Sequence, residues 1–256
     1  MLSKIIPLIE KARGDRPVYV EPFGGSGAVI NALTPFKYEV YNDADERLVD
    51  FFRALADDES REKMKRWGET FPQSRAIYGE MKRNWIKSPE LAKRGFATFY
   101  VQSFSFGGKP FDAFGYQKLA RSRNDAAIYR GRVASLDAHA ERFRLVNIEC
   151  LDWKRVVDKY DSEQAFFYFD PPYICNSNNY KKDLRPVDHM ELVKRLLALQ
   201  GGAALSCYYD DVYAPLVEAG WTRHDFTASS SVRLSTDNLG DTRKRVETIL
   251  IKPCRG

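Results

Sequence analysis

Two short segments of this 256-residue chain hold residue types that could do chemistry. The first is Ala165-Phe166-Phe167-Tyr168-Phe169-Asp170-Pro171-Pro172-Tyr173. Five apolar or aromatic residues closed by an acid and two prolines predict a strand buried on both faces, leaving the sheet in a fixed, extended turn. Asp170 then stands at the carboxyl end of a central strand, where open α/β sheets bind their ligands. Such a turn presents a carboxylate, a free proline carbonyl and the flat ring of Tyr173 together. The plainer alternative is an Asp that caps a following helix beside a tyrosine that covers the core.

The second segment is Glu21-Pro22-Phe23-Gly24-Gly25-Ser26-Gly27. It follows a strand over 17–22 and precedes a helix from Ala28 to about Leu33. Strand, glycine turn and helix form the opening unit of a doubly wound fold, and glycine lets backbone approach a ligand closely. A phosphate-cradling loop would need Lys and Ser/Thr after its last glycine, but Ala28 and Val29 follow Gly27. Ile30 occupies the place of the third glycine in the dinucleotide fingerprint. The expected ligand is therefore nucleoside-like, without a pyrophosphate cradle; a tight turn with no ligand is the alternative.

Two further acids fall at predicted strand tips. Asp43 ends the strand Tyr38–Asp43, where it could accept hydrogen bonds from ribose hydroxyls or help to cap the next helix. Asp152 follows the strand Leu145–Cys150 and could receive an adenine amine or cap the helix Lys154–Tyr160.

The elements that must position these groups alternate along both ends of the chain. Between them, helices are predicted over Arg61–Glu69, Arg75–Ile86, from Ser88-Pro89 onward, and as one long helix over Asp125–Arg144. A glycine- and aromatic-rich loop, Ser103–Tyr116, interrupts them. The helices Val187–Leu199 and Val212–Ala219 and the strands Ala203–Tyr208, Trp221–Thr227 and Val246–Ile251 extend the β/α alternation, and two polar loops, 174–185 and 228–245, join them.

The net charge of +5 is unevenly spread. Residues 61–145 hold 18 Lys+Arg and 8 Asp+Glu, whereas the rest hold 22 and 27. A basic insertion on a mildly acidic body suits a polyanionic partner, although a solvated helical surface has the same composition. Mean hydropathy is −0.47, and no apolar run approaches the ~18 residues of a membrane span. The N-terminus lacks the apolar stretch of a signal peptide. The four cysteines are scattered without a paired motif, so neither a metal site nor a disulfide framework is expected, and a cytoplasmic protein is.

Taken together and in this order, these segments resemble the alpha-group DNA adenine-N6 methyltransferases, the family of the Dam-type enzymes. Residues 21–27 are similar to the family's S-adenosylmethionine loop, Asn42-Asp43 to its ribose-binding acid, Asp152 to the acid near the cofactor's adenine, and Asp170-Pro171-Pro172-Tyr173 to its catalytic tetrapeptide. Arg245–Leu250 resembles the closing strand. The resemblance implies a Rossmann-like catalytic domain over 1–58 and 145–256, with a mainly helical target-recognition insert over 59–144. It implies S-adenosylmethionine as cofactor, no metal, and a double-stranded DNA substrate whose adenine flips out to be methylated at N6. Lys109, Arg121 and Arg123 in the insert are the expected DNA contacts. The chain departs from the family at two places. It begins Met1-Leu2-Ser3-Lys4 where a Gly-Gly-Lys-like segment is usual, and Ser105–Lys109 stands roughly where Asn-Gly-Leu-x-Arg is usual. The same chemistry on cytosine N4 or RNA adenine, and a non-catalytic DNA-binding protein on this scaffold, are the rival readings.

Overall fold

A computed structural model describes residues 2–105, 113–115, 124–174, 186–227 and 246–253. It divides into two compact units, Met1–Asn42 with Leu151–Gly256, and Asp43–Cys150.

The first unit carries most of a seven-stranded sheet. In chain order the strands are β1 (Val18–Glu21), β2 (Tyr38–Asn42), β3 (Val146–Glu149), β4 (Ala165–Phe169), β5 (Gly202–Tyr208), β6 (Thr222–Thr227) and β7 (Val246–Ile251), and the sheet runs β3-β2-β1-β4-β5-β7-β6. Pairing of β1 with β2, of β1 with β4 and of β4 with β5 is parallel. The chain moves outward from β1 in one direction and returns to β4 on its other side. The order therefore reverses between β1 and β4, which is where doubly wound sheets open a ligand crevice at their carboxyl ends.

All five residues of β4 are buried, as expected of a strand covered on both faces. Val20, Phe167, Phe169, Ala203 and Leu205 point into one core, shared with Trp153 and Val156 of α9 (Trp153–Tyr160), Leu192 and Leu196 of α10 (Pro186–Ala198) and Leu216 of α11 (Ala214–Glu218). On the other side α1 (Leu2–Arg13) packs on α2 (Ala28–Ala32), β5 and β7, and the Tyr19 ring meets Phe36 at 4.9 Å.

The expected β/α alternation fails at the end of the chain. β7 lies antiparallel between β5 and β6, with Ser206 opposite Ile249 and Asp225 opposite Thr248. The segment expected as a helix over Val212–Ala219 is a 3₁₀ turn (Asp211–Tyr213) followed by α11.

The second unit packs α3 (Glu46–Ala56), α4 (Asp58–Thr70), α5 (Arg75–Arg83), α6 (Leu91–Ser103), α7 (Asp125–Ala134) and α8 (Leu136–Phe143). Helix α6 is the spine. Gly95 on it lies so close to α3 that an added Cβ would stand 2.5 Å from the Ala54 Cβ. Aromatic pairs fill the interior, Phe52 stacking on Phe143 at 4.4 Å and Phe51 on Phe99 at 6.0 Å. Asp50, buried in α3, receives the Arg94 Nε–H of α6 at 2.6 Å, so this buried acid is paired.

Three helix boundaries differ from expectation. The helix expected over Asp125–Arg144 breaks at Ser135, whose φ −90°, ψ 0° lies outside the regular helical range. The one expected to reach Ile86 stops at Arg83 and gives way to a 3₁₀ turn at Trp85–Lys87. Ser88 does not cap α6, which begins only at Leu91; its Oγ accepts the Glu90 N–H at 3.2 Å, one turn early. No helix among the described residues is long and apolar enough to cross a membrane.

Candidate active site

Two turns leave the carboxyl ends of the adjacent strands β1 and β4. The β1 turn begins at Glu21, which is almost wholly buried. Its Oε1 accepts the Tyr19 hydroxyl at 2.8 Å, while its Oε2 is buried without a hydrogen-bond partner. Burial pushes the carboxyl up to about 8, against the opposing pull of the Tyr19 and Ile30 donors. Glu21 is thus a neutral acid near neutral pH.

Pro22 and Phe23 carry the chain over the sheet edge, and the Phe23 ring lies 5.9 Å from Trp153 and 6.4 Å from Phe169. Gly24 sits against the Tyr41 ring, so close that a Cβ would fall 2.2 Å from its Cε2. Gly25 and Gly27 adopt left-handed φ values of 53° and 67°, which favour glycine. No atom lies within 4 Å of where a Cβ on Gly25 would be, so the turn is open there. Tyr41 Oη donates to the Gly25 carbonyl at 2.6 Å, and Gly27 N–H closes the turn on the Gly24 carbonyl at 2.8 Å. Ser26 is exposed at its tip.

Asn42, fully buried at the end of β2, was not singled out in the sequence as a clamp. Its Nδ2 donates to the Pro22 carbonyl at 2.8 Å and the Leu151 carbonyl at 3.1 Å, and its Oδ1 accepts the Leu151 N–H at 2.8 Å. Its own carbonyl accepts the Gly24 N–H at 2.7 Å. One side chain therefore ties the glycine turn to the segment that delivers Asp152. A polar residue closing an apolar strand was the available signal.

The two acids at strand tips part company. Asp152 caps α9, its Oδ1 accepting the Lys154 N–H at 2.9 Å. Asp43 does not cap α3. Asp45 does, accepting the Arg47 N–H at 3.2 Å, while Asp43 accepts the Asp45 N–H at 2.8 Å.

The β4 turn places Asp170 open to solvent and Pro171 buried beneath it. Although solvent reaches Asp170, the surrounding protein removes much of its hydration and raises its carboxyl to about 6. The Glu247 carboxylate of β7 pushes the same way, and hydrogen bonds from Tyr173 and Ser206 oppose both. Tyr173 is tethered at two points. Its Oη lies 3.0 Å from Ser206 Oγ, and its ring meets Tyr208 edge-on at 4.5 Å. Beneath the turn, fully buried His189 places Nδ1 2.8 Å from Tyr213 Oη, while its Nε2 is buried without a hydrogen-bond partner.

Ser206, Glu247 and His189 were missed in the sequence. Ser206 alone had a signal, as the one polar side chain in the apolar run Ala203–Cys207. Lys109, Arg121 and Arg123 lie outside the described residues, as do most of the 174–185 loop and the whole 228–245 loop.

A model of the D12 class N6 adenine-specific DNA methyltransferases matches residues 1–198, which include both turns. The chain belongs to this family. It is an S-adenosylmethionine-dependent enzyme that methylates adenine N6 in DNA. Ser206 and Glu247 fall after the matched residues of this methyltransferase. A direct comparison with curated proteins found no match.

Proposed function

We propose that the β4 turn is where this methyltransferase holds the reacting amine, and that the β1 turn holds its cofactor. The observation that supports this most directly is the pairing of β1 with β4, with Val20 opposite Phe167, at the point where strand order reverses. It puts a glycine turn and an Asp-Pro-Pro-Tyr turn side by side on one edge of one unit.

The residues of the β1 turn fit S-adenosylmethionine. The turn is open above Gly25, its backbone is preset by left-handed glycines, and Glu21 keeps a buried oxygen without a partner at its root. A neutral Glu21 donates a hydrogen bond without placing a negative charge in the pocket. Asp43 is assigned to the ribose hydroxyls and Asp152 to the adenine end, the latter together with its capping bond.

When bound, S-adenosylmethionine supplies an electrophilic methyl group on a sulfonium. The protein's part is alignment and charge complementarity. An adenine amine is a poor nucleophile because its lone pair is delocalised into the ring. The Asp170 carboxylate and the Pro171 carbonyl accept its two N–H groups, favouring a pyramidal nitrogen whose lone pair points at the methyl. With its carboxyl raised to about 6, Asp170 is basic enough to receive the proton that N6 sheds after transfer. Tyr173 offers a ring face to the flipped base, with stacking worth ~1–3 kcal/mol. The basic segment 59–144, within the compact helical unit, is assigned to target recognition on double-stranded DNA, with Lys109, Arg121 and Arg123 as phosphate contacts.

Replacing Asp170 by Ala is expected to slow single-turnover methyl transfer by roughly 10²–10³-fold while calorimetry shows cofactor affinity nearly unchanged. A near-normal rate would remove Asp170 from the mechanism.

A further inference from the structure

Ser206 stands beside the proline turn on the neighbouring strand and is only 2% exposed. In the parallel pairing of β4 with β5, Phe169 lies opposite Leu205, so Asp170 leaves β4 beside Ser206, which stays in β5 opposite Ile249 of β7. Ser206 Oγ contacts Tyr173 Oη at 3.0 Å, the register sets Ser206 next to Asp170, and both hydroxyls pull the Asp170 carboxyl down. Three oxygen-bearing groups thus stand together with only two hydroxyl protons among them. A carboxylate contributes no proton and the Ser206–Tyr173 contact uses one, which leaves one hydroxyl proton for Asp170.

The need for such donors is plain from what else faces Asp170. Among the described residues these are Glu21 from β1, Tyr168 from its own strand, Cys207 from β5 and Glu247 from β7. They are acids or weak acids, and none is a fixed cation. Among the described residues, then, hydrogen bonds are what help this carboxylate, stripped of part of its hydration, to keep its charge and its aim.

We propose that Ser206 is a positioning residue of the methyl transfer: linked to the Tyr173 hydroxyl and set beside Asp170, it completes a hydroxyl pair that presents a proton to the carboxylate, and so keeps the acceptor oxygen ionised and turned toward the target amine. The inference rests on Asp170 being that acceptor. It adds a group from outside the family-matched region, and it gives the Tyr173 hydroxyl a task separate from stacking.

The test compares the wild-type enzyme with Ser206→Ala and Asp170→Ala. Single-turnover methyl transfer to adenine-containing duplex DNA is measured against pH, cofactor affinity by calorimetry, and the side-chain carboxyls by carbon-detected NMR titration. Asp170→Ala identifies the Asp170 resonance. For Ser206→Ala the acid limb of the rate profile is expected to move to higher pH, and the Asp170 carboxyl to titrate higher with it. The rate should fall roughly tenfold below pH ~6 and no more than about twofold above pH ~8, with cofactor affinity held within about twofold. A rate profile superimposable on the wild type overturns the proposal. So does a uniform loss at every pH with Asp170 titrating as before. If Ser206→Ala fails to bind cofactor, Ser206→Cys takes its place; its thiol is a weak donor, so the same upward displacement is expected and its absence is equally decisive. Should Asp170→Ala turn over normally, the assignment of Asp170 itself fails, which the NMR titration distinguishes from a failure confined to Ser206.

Discussion

The glycine turn after β1 and the proline turn after β4 close neighbouring strands, yet they are made rigid in opposite ways. In the first, backbone does the work. Two left-handed glycines set a path that is open above Gly25, with the Tyr41 ring and the Asn42 side chain fastening it from below. In the second, prolines set the path, and side chains of the neighbouring strand β5, Ser206 and Tyr208, hold Tyr173. A surface meant to receive a cofactor gains from empty space and exposed peptide groups. A group meant to accept particular protons gains from a controlled charge. The acids of the two turns follow the same division. Glu21 is buried and held neutral near pH 7, whereas Asp170 is open and ionises near pH 6.

If that division is real, substitutions in the two turns should separate cofactor binding from turnover. The largest effect is expected for Asp170→Ala, which loses turnover but not affinity; in the wild type the rate should rise with pH through about 6, as the accepting carboxylate forms. Equal loss of affinity would blur the two turns into one site. Asn42→Ala strands buried donors and acceptors on both sides of the clamp and is expected to cost roughly 2–4 kcal/mol in denaturant melts. A loss below about 0.5 kcal/mol would show that the clamp is dispensable. Gly24→Ala must displace the Tyr41 ring, with an overpacking cost of roughly 1–3 kcal/mol. It should weaken cofactor binding in calorimetry while turnover at saturating cofactor stays close to the wild type; the reverse pattern would contradict a backbone-defined pocket.

Tyr173→Phe keeps the ring but removes the hydroxyl from Ser206 and Asp170, so a fall in single-turnover rate of about three- to tenfold is expected, with Tyr173→Ala lower still. Equal losses would argue against stacking, and a fully active Phe variant against the hydroxyl's tether. The smallest effect concerns Glu21. Its folded-state pKa, about 8, lies above the ordinary 4.5, so the folded protein binds more protons than the unfolded chain across that interval, and stability is lost as pH rises through it. Glu21→Gln should flatten this slope in melts taken at several pH values; an unchanged slope would mean that Glu21 does not carry it.

Both turns were legible in the sequence because glycine and proline act locally, and a five-residue apolar strand ending in an acid needs no tertiary context to be read. The supporting groups were not legible, because nothing near Ser206 or Asn42 in the chain reveals which turn each will meet. Asp152 and Asp45 show a different limit. An acid at a strand tip before a helix has the same pattern whether it caps the helix or serves a ligand, and only coordinates reveal the caps. The break at Ser135 carries neither proline nor glycine to announce it. The last two strands were each recognised, but their antiparallel order is decided by pairing with β5, which periodicity does not encode.

The position of β7 has a consequence for how the enzyme comes into being. Strand β7 is not added at the rim; it wedges between β5 and β6, both of which precede it in the chain. A nascent chain halted between the β4 turn and residue 246 would already possess both turns, but not the acid that bears on Asp170 nor the strand that flanks Ser206. Chains cut just before β7 should therefore carry both turns and yet transfer methyl groups poorly.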